Sequence, residues 1–250
     1  QYQYTKYKQP KTKFEILSLS LTAPDGRSAN SAKKGIEDAV TIIDGVTVAR
    51  DLVNTPAQDM KPMRLAQVAE NIAKMAGSSV RVRVYNREQC EKKKMGAFLA
   101  VAQGSDAEPR FIHLTYKPEG RAKKVIALVG KGVTFDSGGL SLKPGPYMET
   151  MKCDMAGAAA VLGTFATLAR LKPKVEVHGI IPATENMVNG IAMRPGDVIK
   201  ASNGKTIEVL NTDAEGRLIL ADGLHYASKL NPDYMIDLAT LTGACVVALG

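Results

Sequence analysis

From about Asn30 to Val53 the apolar residues Ile36, Val40, Ile43, Val46 and Leu52 recur at helical spacing, which predicts one long helix. Proline disfavours helical backbone in the residue before it, so that helix should stop near Asn54-Thr55-Pro56. A second helix is expected after Pro62, running to about Ala76 with Gly77 closing it. Val80–Tyr85 alternates apolar and polar positions, as a half-buried strand does, with Arg81 and Arg83 on its wet face. A short helix over Arg87–Lys94 comes next. Phe98–Ala102, Arg110–Tyr116 and Lys124–Val129 then read as strands, the last continuously apolar and therefore central and buried on both faces. Ahead of these, residues 1–20 are polar and basic and turn strand-like at Phe14–Leu21, before the turn Pro24-Asp25-Gly26.

Beyond Val129 the chain becomes loop-like, through Gly130-Lys131-Gly132, Asp136-Ser137-Gly138-Gly139 and Lys143-Pro144-Gly145-Pro146. A helix rich in small residues is expected from about Glu149 to Arg170, then a strand over Lys174–Ile181 and a loop over Glu185–Asp197. Short strands at Val198–Ala201 and Thr206–Leu210, a helix from about Arg217 to Leu230 and a last strand at Tyr234–Ala239 complete the pattern. This alternation predicts an α/β fold, with a mixed, largely parallel sheet and helices on both faces. Right-handed crossovers bring the carboxyl ends of such strands to one edge, where ligands bind. The loops after Val129, Leu210 and Ala239 lie at those ends.

Composition narrows the possibilities. A chain of 250 residues buries roughly 70–75% of its unfolded surface and folds without disulfides or a structural metal. No apolar run approaches the ~20 residues of a membrane span. Cys90, Cys153 and Cys245 are odd in number, with no CxxC, and read as reduced intracellular thiols in a cytoplasmic protein. The net charge of +8 invites a nucleic-acid reading. However, the excess sits in Lys6, Lys8, Lys11 and Lys13 and in Lys92–Lys94, without the interleaved aromatics of a base-stacking groove, although Tyr2, Tyr4 and Tyr7 come near the first cluster.

The loops carry the chemistry. Asn211-Thr212-Asp213-Ala214-Glu215-Gly216-Arg217-Leu218 places two carboxylates and an arginine at a helix entrance, and Lys131, Asp136, Lys143 and Asp154 lie on the earlier glycine-rich connections. Singly, each Asp reads as a turn former or N-cap. Together, the four carboxylates Asp136, Asp154, Asp213 and Glu215 repel one another at one sheet edge unless cations neutralise them. Two divalent ions supply matching charge, and an oxygen-rich ligand set suits Zn, Mn, Mg or Co. The histidines His113, His178 and His225 form no ligand motif and are expected to be structural, with His225 the one nearest to a supporting role. Gly130-Lys131-Gly132 lacks the last glycine of a dinucleotide fingerprint, and Gly204-Lys205-Thr206 lacks the first glycine of a P-loop.

These motifs carry a resemblance. Asn211–Leu218 resembles the signature of the leucyl aminopeptidase family, the two-metal cytosolic aminopeptidases of peptidase family M17. Val129–Gly139 resembles its first metal loop, and Met151-Lys152-Cys153-Asp154-Met155 a further one, in the same order and spacing over about residues 30–250. The resemblance implies a three-layer, phosphorylase/hydrolase-like α/β/α fold and hydrolysis of N-terminal peptide bonds, with apolar residues such as Leu preferred. Lys131, Asp136, Asp154 and Glu215 would hold the tighter metal, and Asp136, Asp213 and Glu215 the more exchangeable one. Lys143 would polarise the scissile carbonyl, and Arg217 would hold a bicarbonate that acts as base toward the metal-activated water. Met151, Asn211, Thr240, Leu241 and Gly243 match positions around the peptide substrate. A homo-hexamer is also implied.

The same resemblance divides the chain into a remnant of an N-terminal domain and linker at 1–28, a linker helix at 29–55 and a catalytic domain at 56–250 that lacks its C-terminal part. Two alternatives stay open: a DNA-binding or architectural protein of the same fold, and an inactive fragment.

Overall fold

A computed structural model describes residues 2–8, 16 and 18–250. The chain enters on helix α1 (Gly26–Asn54), whose N-cap Asp25 accepts the Ser28 amide at 2.7 Å. This helix ends one residue before Thr55-Pro56, as proline requires. At 29 residues it is about 43 Å long. Only Gly45 and Leu52 along it are buried, so its first half, Gly26 to Val40, leans on almost nothing. Helix α2 (Pro62–Ala76) starts on proline and buries Leu65, Ala66, Ala69, Ile72 and Ala73, one face at the 3–4 residue repeat.

Strands β1 (Val80–Tyr85), β2 (Arg110–Tyr116), β3 (Val125–Gly130), β5 (Glu176–Asn186) and β8 (Tyr234–Leu238) form the main sheet in the order β1-β2-β5-β3-β8. Strand β4 (Gly132–Asp136) continues the line of β3 along the far end of β5. The β1–β2 and β2–β5 pairs are antiparallel; β3–β5, β3–β8 and β4–β5 are parallel. Helices α1, α2 and α6 (Ala156–Leu171) cover one face, where Leu65, Leu162, Phe165 and Ile181 pack together. Helices α3 (Arg87–Lys92), α4 (Gly96–Ala102) and α7 (Glu215–Ser228) cover the other, around Phe98, Phe111, Ile180 and Ile219. The fold is thus the α/β sandwich of a mixed, mostly parallel sheet.

Helices α1 and α6 cross where glycine faces glycine. A Cβ on Gly45 would stand 2.5 Å from the Gly163 carbonyl oxygen, so only two bare backbones approach this closely. Arg170 then reaches across the crossing to Asp44 at 2.8 Å.

Several expected boundaries move, each for a physical reason. Phe98–Ala102 is not a strand but lies within helix α4; a short, wholly apolar run has no periodicity to separate the two. Buried Asp222 of α7 fixes this helix by accepting the Phe98 amide at 2.9 Å and the Ser202 amide at 2.7 Å. Residues 132–136, expected as loop, form β4 because β5 outruns β3 and offers them an edge. Strand β5 itself continues five residues past Ile181, since Pro182 sits within the antiparallel register opposite Phe111 without ending the strand.

The helix expected over Glu149–Arg170 follows a separate turn of helix α5 (Gly145–Met148) and is itself broken into a 3-10 turn at Met151–Cys153 and α6, with Asp154 buried at the break. The hairpin strands β6 (Val198–Lys200) and β7 (Thr206–Glu208) lie apart from the main sheet. A helix α8 (Ala244–Leu249) follows β8, in a stretch for which the sequence pattern predicts no element. Part of the strand expected at Phe14–Leu21 lies outside the described residues, as do Lys11 and Lys13; residues 16 and 18–21, which are described, are not in a strand.

Candidate metal centre

The carboxyl ends of the parallel strands meet at one edge. Lys131 directly follows β3, Asp136 ends β4, Asn186 ends β5, and Thr240 lies just past β8. Glu215 opens α7, next to the single turn Thr212–Ala214. The Lys131 backbone is clamped on both sides, its amide donating to the Leu238 carbonyl and its carbonyl accepting from Ala158 at the start of α6, each at 2.9 Å.

Around this edge runs a cleft of about 640 Å³. Lys131, Asp136, Asp154, Asp213, Glu215, Lys143, Arg217, Met151, Asn211, Thr240, Leu241 and Gly243 all line it. So do Ala214, Ala239, Thr242 and the two cysteines Cys153 and Cys245, which the pattern of charges did not single out. His225 is not among them. It lies ten residues along α7 from Glu215, about 15 Å by helical rise, so it does not support the site.

Two ammonium groups thread the carboxylates. Lys131, only 3% exposed, places Nζ 2.8 Å from Asp154 Oδ1 and 2.8 Å from Glu215 Oε1, and donates to the Thr240 carbonyl at 2.8 Å. Lys143 Nζ lies 3.0 Å from Asp136 Oδ2 and 2.5 Å from Asp213 Oδ1. The Thr240 hydroxyl donates to Asp154 Oδ1 at 2.8 Å. Asp136 Oδ1 accepts from the Gly138 amide at 2.9 Å and from the Asn186 side chain at 2.8 Å. Asn211 accepts the Asp213 amide at 2.8 Å, and Thr212 is held between the Gly138 carbonyl and the Ser141 amide, each at 2.7 Å.

The charge balance leaves an excess of carboxylate, and Lys131, Lys143, Asp154 and Glu215 all titrate above their ordinary values. Burial by itself would pull the Lys131 ammonium down, but Glu215 and Asp154 outweigh it and hold the pKa above the ordinary lysine value. Lys143 is raised likewise: burial opposes, and Asp213 and Asp136 prevail. Burial pushes Asp154 up to about 8, against the pull of Lys131 and with the push of Glu215 and Asp136. Glu215 is raised chiefly by burial as well. Carboxylates so disfavoured as anions call for further positive charge.

The donor set tells which kind. One oxygen each from Asp136, Asp154 and Glu215, all buried, lies within 4.8 Å of the others. Asp154 Oδ2 is buried without a hydrogen-bond partner, while Glu215 Oε1 and Asp213 Oδ1 are buried against the Lys131 and Lys143 ammonium groups. Buried oxygens left unpaired are costly, at roughly 1–3 kcal/mol each, unless something binds them. Clustered oxygen donors with spare lone pairs suit hard or borderline divalent cations.

The histidines serve elsewhere. His178 Nε2 lies 3.3 Å from Glu176, His178 Nδ1 is hydrogen-bonded to His113 Nε2 at 3.0 Å, and His113 Nδ1 to the Tyr226 hydroxyl at 3.0 Å. Tyr85 completes the chain at 3.1 Å from Tyr226. The tyrosines near the basic N-terminus are likewise engaged within the molecule, Tyr2 with Asp51, Tyr4 with Thr55 and Tyr7 with Asp59. Among the described residues no helix is long and apolar enough to cross a membrane.

Known proteins share much of this sequence. The sequence model of the cytosol aminopeptidase family, catalytic domain, matches residues 47–250. The probable cytosol aminopeptidase of Persephonella marina is 52% identical over 249 residues, which cover 100% of this chain and 49% of that protein. That of Aquifex aeolicus is 52% identical over 251 residues, again 100% and 49%. The probable cytosol aminopeptidase of Thermosynechococcus vestitus is 60% identical over 213 residues, 85% of this chain and 42% of that protein. The chain spans about half the length of the curated relatives it matches.

Proposed function

The chain belongs to the cytosol aminopeptidase family, and on that premise we propose that its cleft is the centre of a metal-dependent aminopeptidase that removes N-terminal residues from peptides. The observation that carries this reading is the convergence of Asp136, Asp154 and Glu215 within 4.8 Å, with the buried Asp154 Oδ2 unpartnered. On it, Asp136, Asp154 and Glu215, with Lys131 once an incoming ion has displaced its proton, would hold one divalent ion, and Asp136, Asp213 and Glu215 would hold a second. Zn and Mn suit this oxygen-rich set, as do Mg and Co. When bound, the ions supply Lewis acidity and acidify water.

The side chains do the rest. Asp136 and Asp213 keep Lys143 cationic, so it presents a fixed positive charge to the oxygen of the scissile carbonyl as negative charge develops there. Arg217 is exposed on the first turn of α7, lines the cleft and makes no ion pair among the described residues, which suits it to hold a small anion such as bicarbonate as proton acceptor. Met151 and Leu241 offer an apolar wall for a side chain such as Leu, and Asn211, Thr240 and Gly243, which line the same cleft, would face the peptide backbone. In the same reading α1 is the linker helix ahead of a catalytic domain at 56–250, the compartment is the cytoplasm and the assembly a hexamer.

Hydrolysis of aminoacyl reporter substrates, with metal analysis of the same sample, tests the proposal. Chelation is expected to abolish turnover and added Mn2+ or Zn2+ to restore it. Full activity in excess chelator sinks the metal reading. A Lys143→Ala variant is expected to lose about 10²–10³-fold in kcat.

A further inference from the structure

Asn186 is 2% exposed at the end of β5, opposite Asp136 in the β4–β5 register. Its backbone carbonyl accepts both the amide and the hydroxyl of Ser137 at 2.9 Å. The side-chain nitrogen donates to Asp136 Oδ1 at 2.8 Å and to the Thr212 carbonyl at 3.1 Å. Both partners are acceptors, so only the amide nitrogen can face them; turned over, the amide would crowd three oxygens together. The other end of the amide lies against Gly139, where a Cβ would come within 3.0 Å of both Asn186 Oδ1 and Thr212 Oγ1. Glycine is required there for a second reason, since φ is +64°. One buried amide thus joins the loop after β4 to the turn that leads into Glu215.

We propose that Asn186 is a positioning residue for the acidic centre. It anchors Asp136 through Oδ1, together with the Gly138 amide, so that Oδ2 stays directed at Lys143. Through Thr212 it also fixes the distance between Asp136 and the pair Asp213 and Glu215. A neutral donor suits this place. A lysine or arginine would compete with a bound ion as counter-charge, and an aspartate would add a further anion to a cluster already in excess. Outer partners of this kind typically set metal affinity by 10–100-fold.

The inference rests on the metal reading above, and its test separates the two. The full chain, stripped of metal, is titrated with Mn2+ by calorimetry as wild type, Asn186→Leu and Asn186→Ala. Melting curves of the metal-free proteins are recorded alongside. The expected result is about 10–100-fold weaker Mn2+ binding in both variants, beyond what any loss of metal-free stability accounts for. A matching change in the visible absorption of Co2+-loaded protein is expected, because the Asp136 carboxylate is no longer held. Unchanged Mn2+ affinity overturns the proposal. So does an affinity loss that merely tracks lost thermal stability, or failure of both variants to fold, either of which makes Asn186 a structural residue alone. A wild-type protein that binds no Mn2+ brings down the metal reading itself, and this inference with it.

Discussion

At the scale of single residues, the histidine chain gives a pH signature separate from the cleft. Burial, with His178 and Arg83 nearby, lowers the His113 pKa to about 4, against ~6.5 in an unfolded chain. Between those values the unfolded chain binds the extra proton, so stability is fully present above about pH 6.5 and is lost as pH falls through 4. The shift corresponds to on the order of 3 kcal/mol. Asp154, raised to about 8, acts with the opposite sign, so the readout is the difference between wild type and His113→Gln. Denaturant midpoints from pH 7 to 4 are expected to fall less steeply in the variant; parallel curves would show that His113 does not titrate there. In the sequence, the charged members of the cleft stood out because four acids and two lysines on glycine-rich loops have few other uses. Asn186 did not, since an Asn after a buried strand looks like an ordinary turn former. Only the Asp136–Asn186 register shows its partner.

Among elements, the α1–α6 crossing is the sharpest test of packing. Gly45→Ala pushes a methyl group into the Gly163 carbonyl and the Thr167 side chain and is expected to cost about 1–3 kcal/mol. Gly35→Ala, ten residues earlier on the same helix, meets nothing within 4 Å and removes the helix penalty of glycine, so it should not lower the melting temperature. Calorimetric melts of the two variants separate close approach from propensity; equal effects would refute the packing argument. Elements with a clear period, such as α2 and β1, could be read from the sequence to within a residue or so. The failures cluster where tertiary contacts choose. A buried run such as α4 takes its form from Asp222 on a helix far along the chain. β4 exists because β5 is long enough to pair with it.

For the whole molecule, the cleft draws its walls from residues 131–154, 211–217 and 239–245, and no one of these segments closes it alone. Its fold class followed from the alternation of elements, since helices that must cover both faces of a parallel sheet leave one edge for loops. What no local pattern could give was the share of α1 that belongs to the body. That share is small, and it makes a protease informative. An isolated helical stretch of this length is marginal in water, so the half of α1 before the Gly45 crossing should open far more often than the sheet does. Arg27, Lys33 and Lys34, all exposed there, are expected to be cut by trypsin ahead of any lysine in the cleft. The piece left behind would keep both sides of the sheet covered and all of the acidic centre. Its melting curve should lie close to that of the intact chain, which would make the leading half of α1 a handle that can be removed without unfolding what it is attached to.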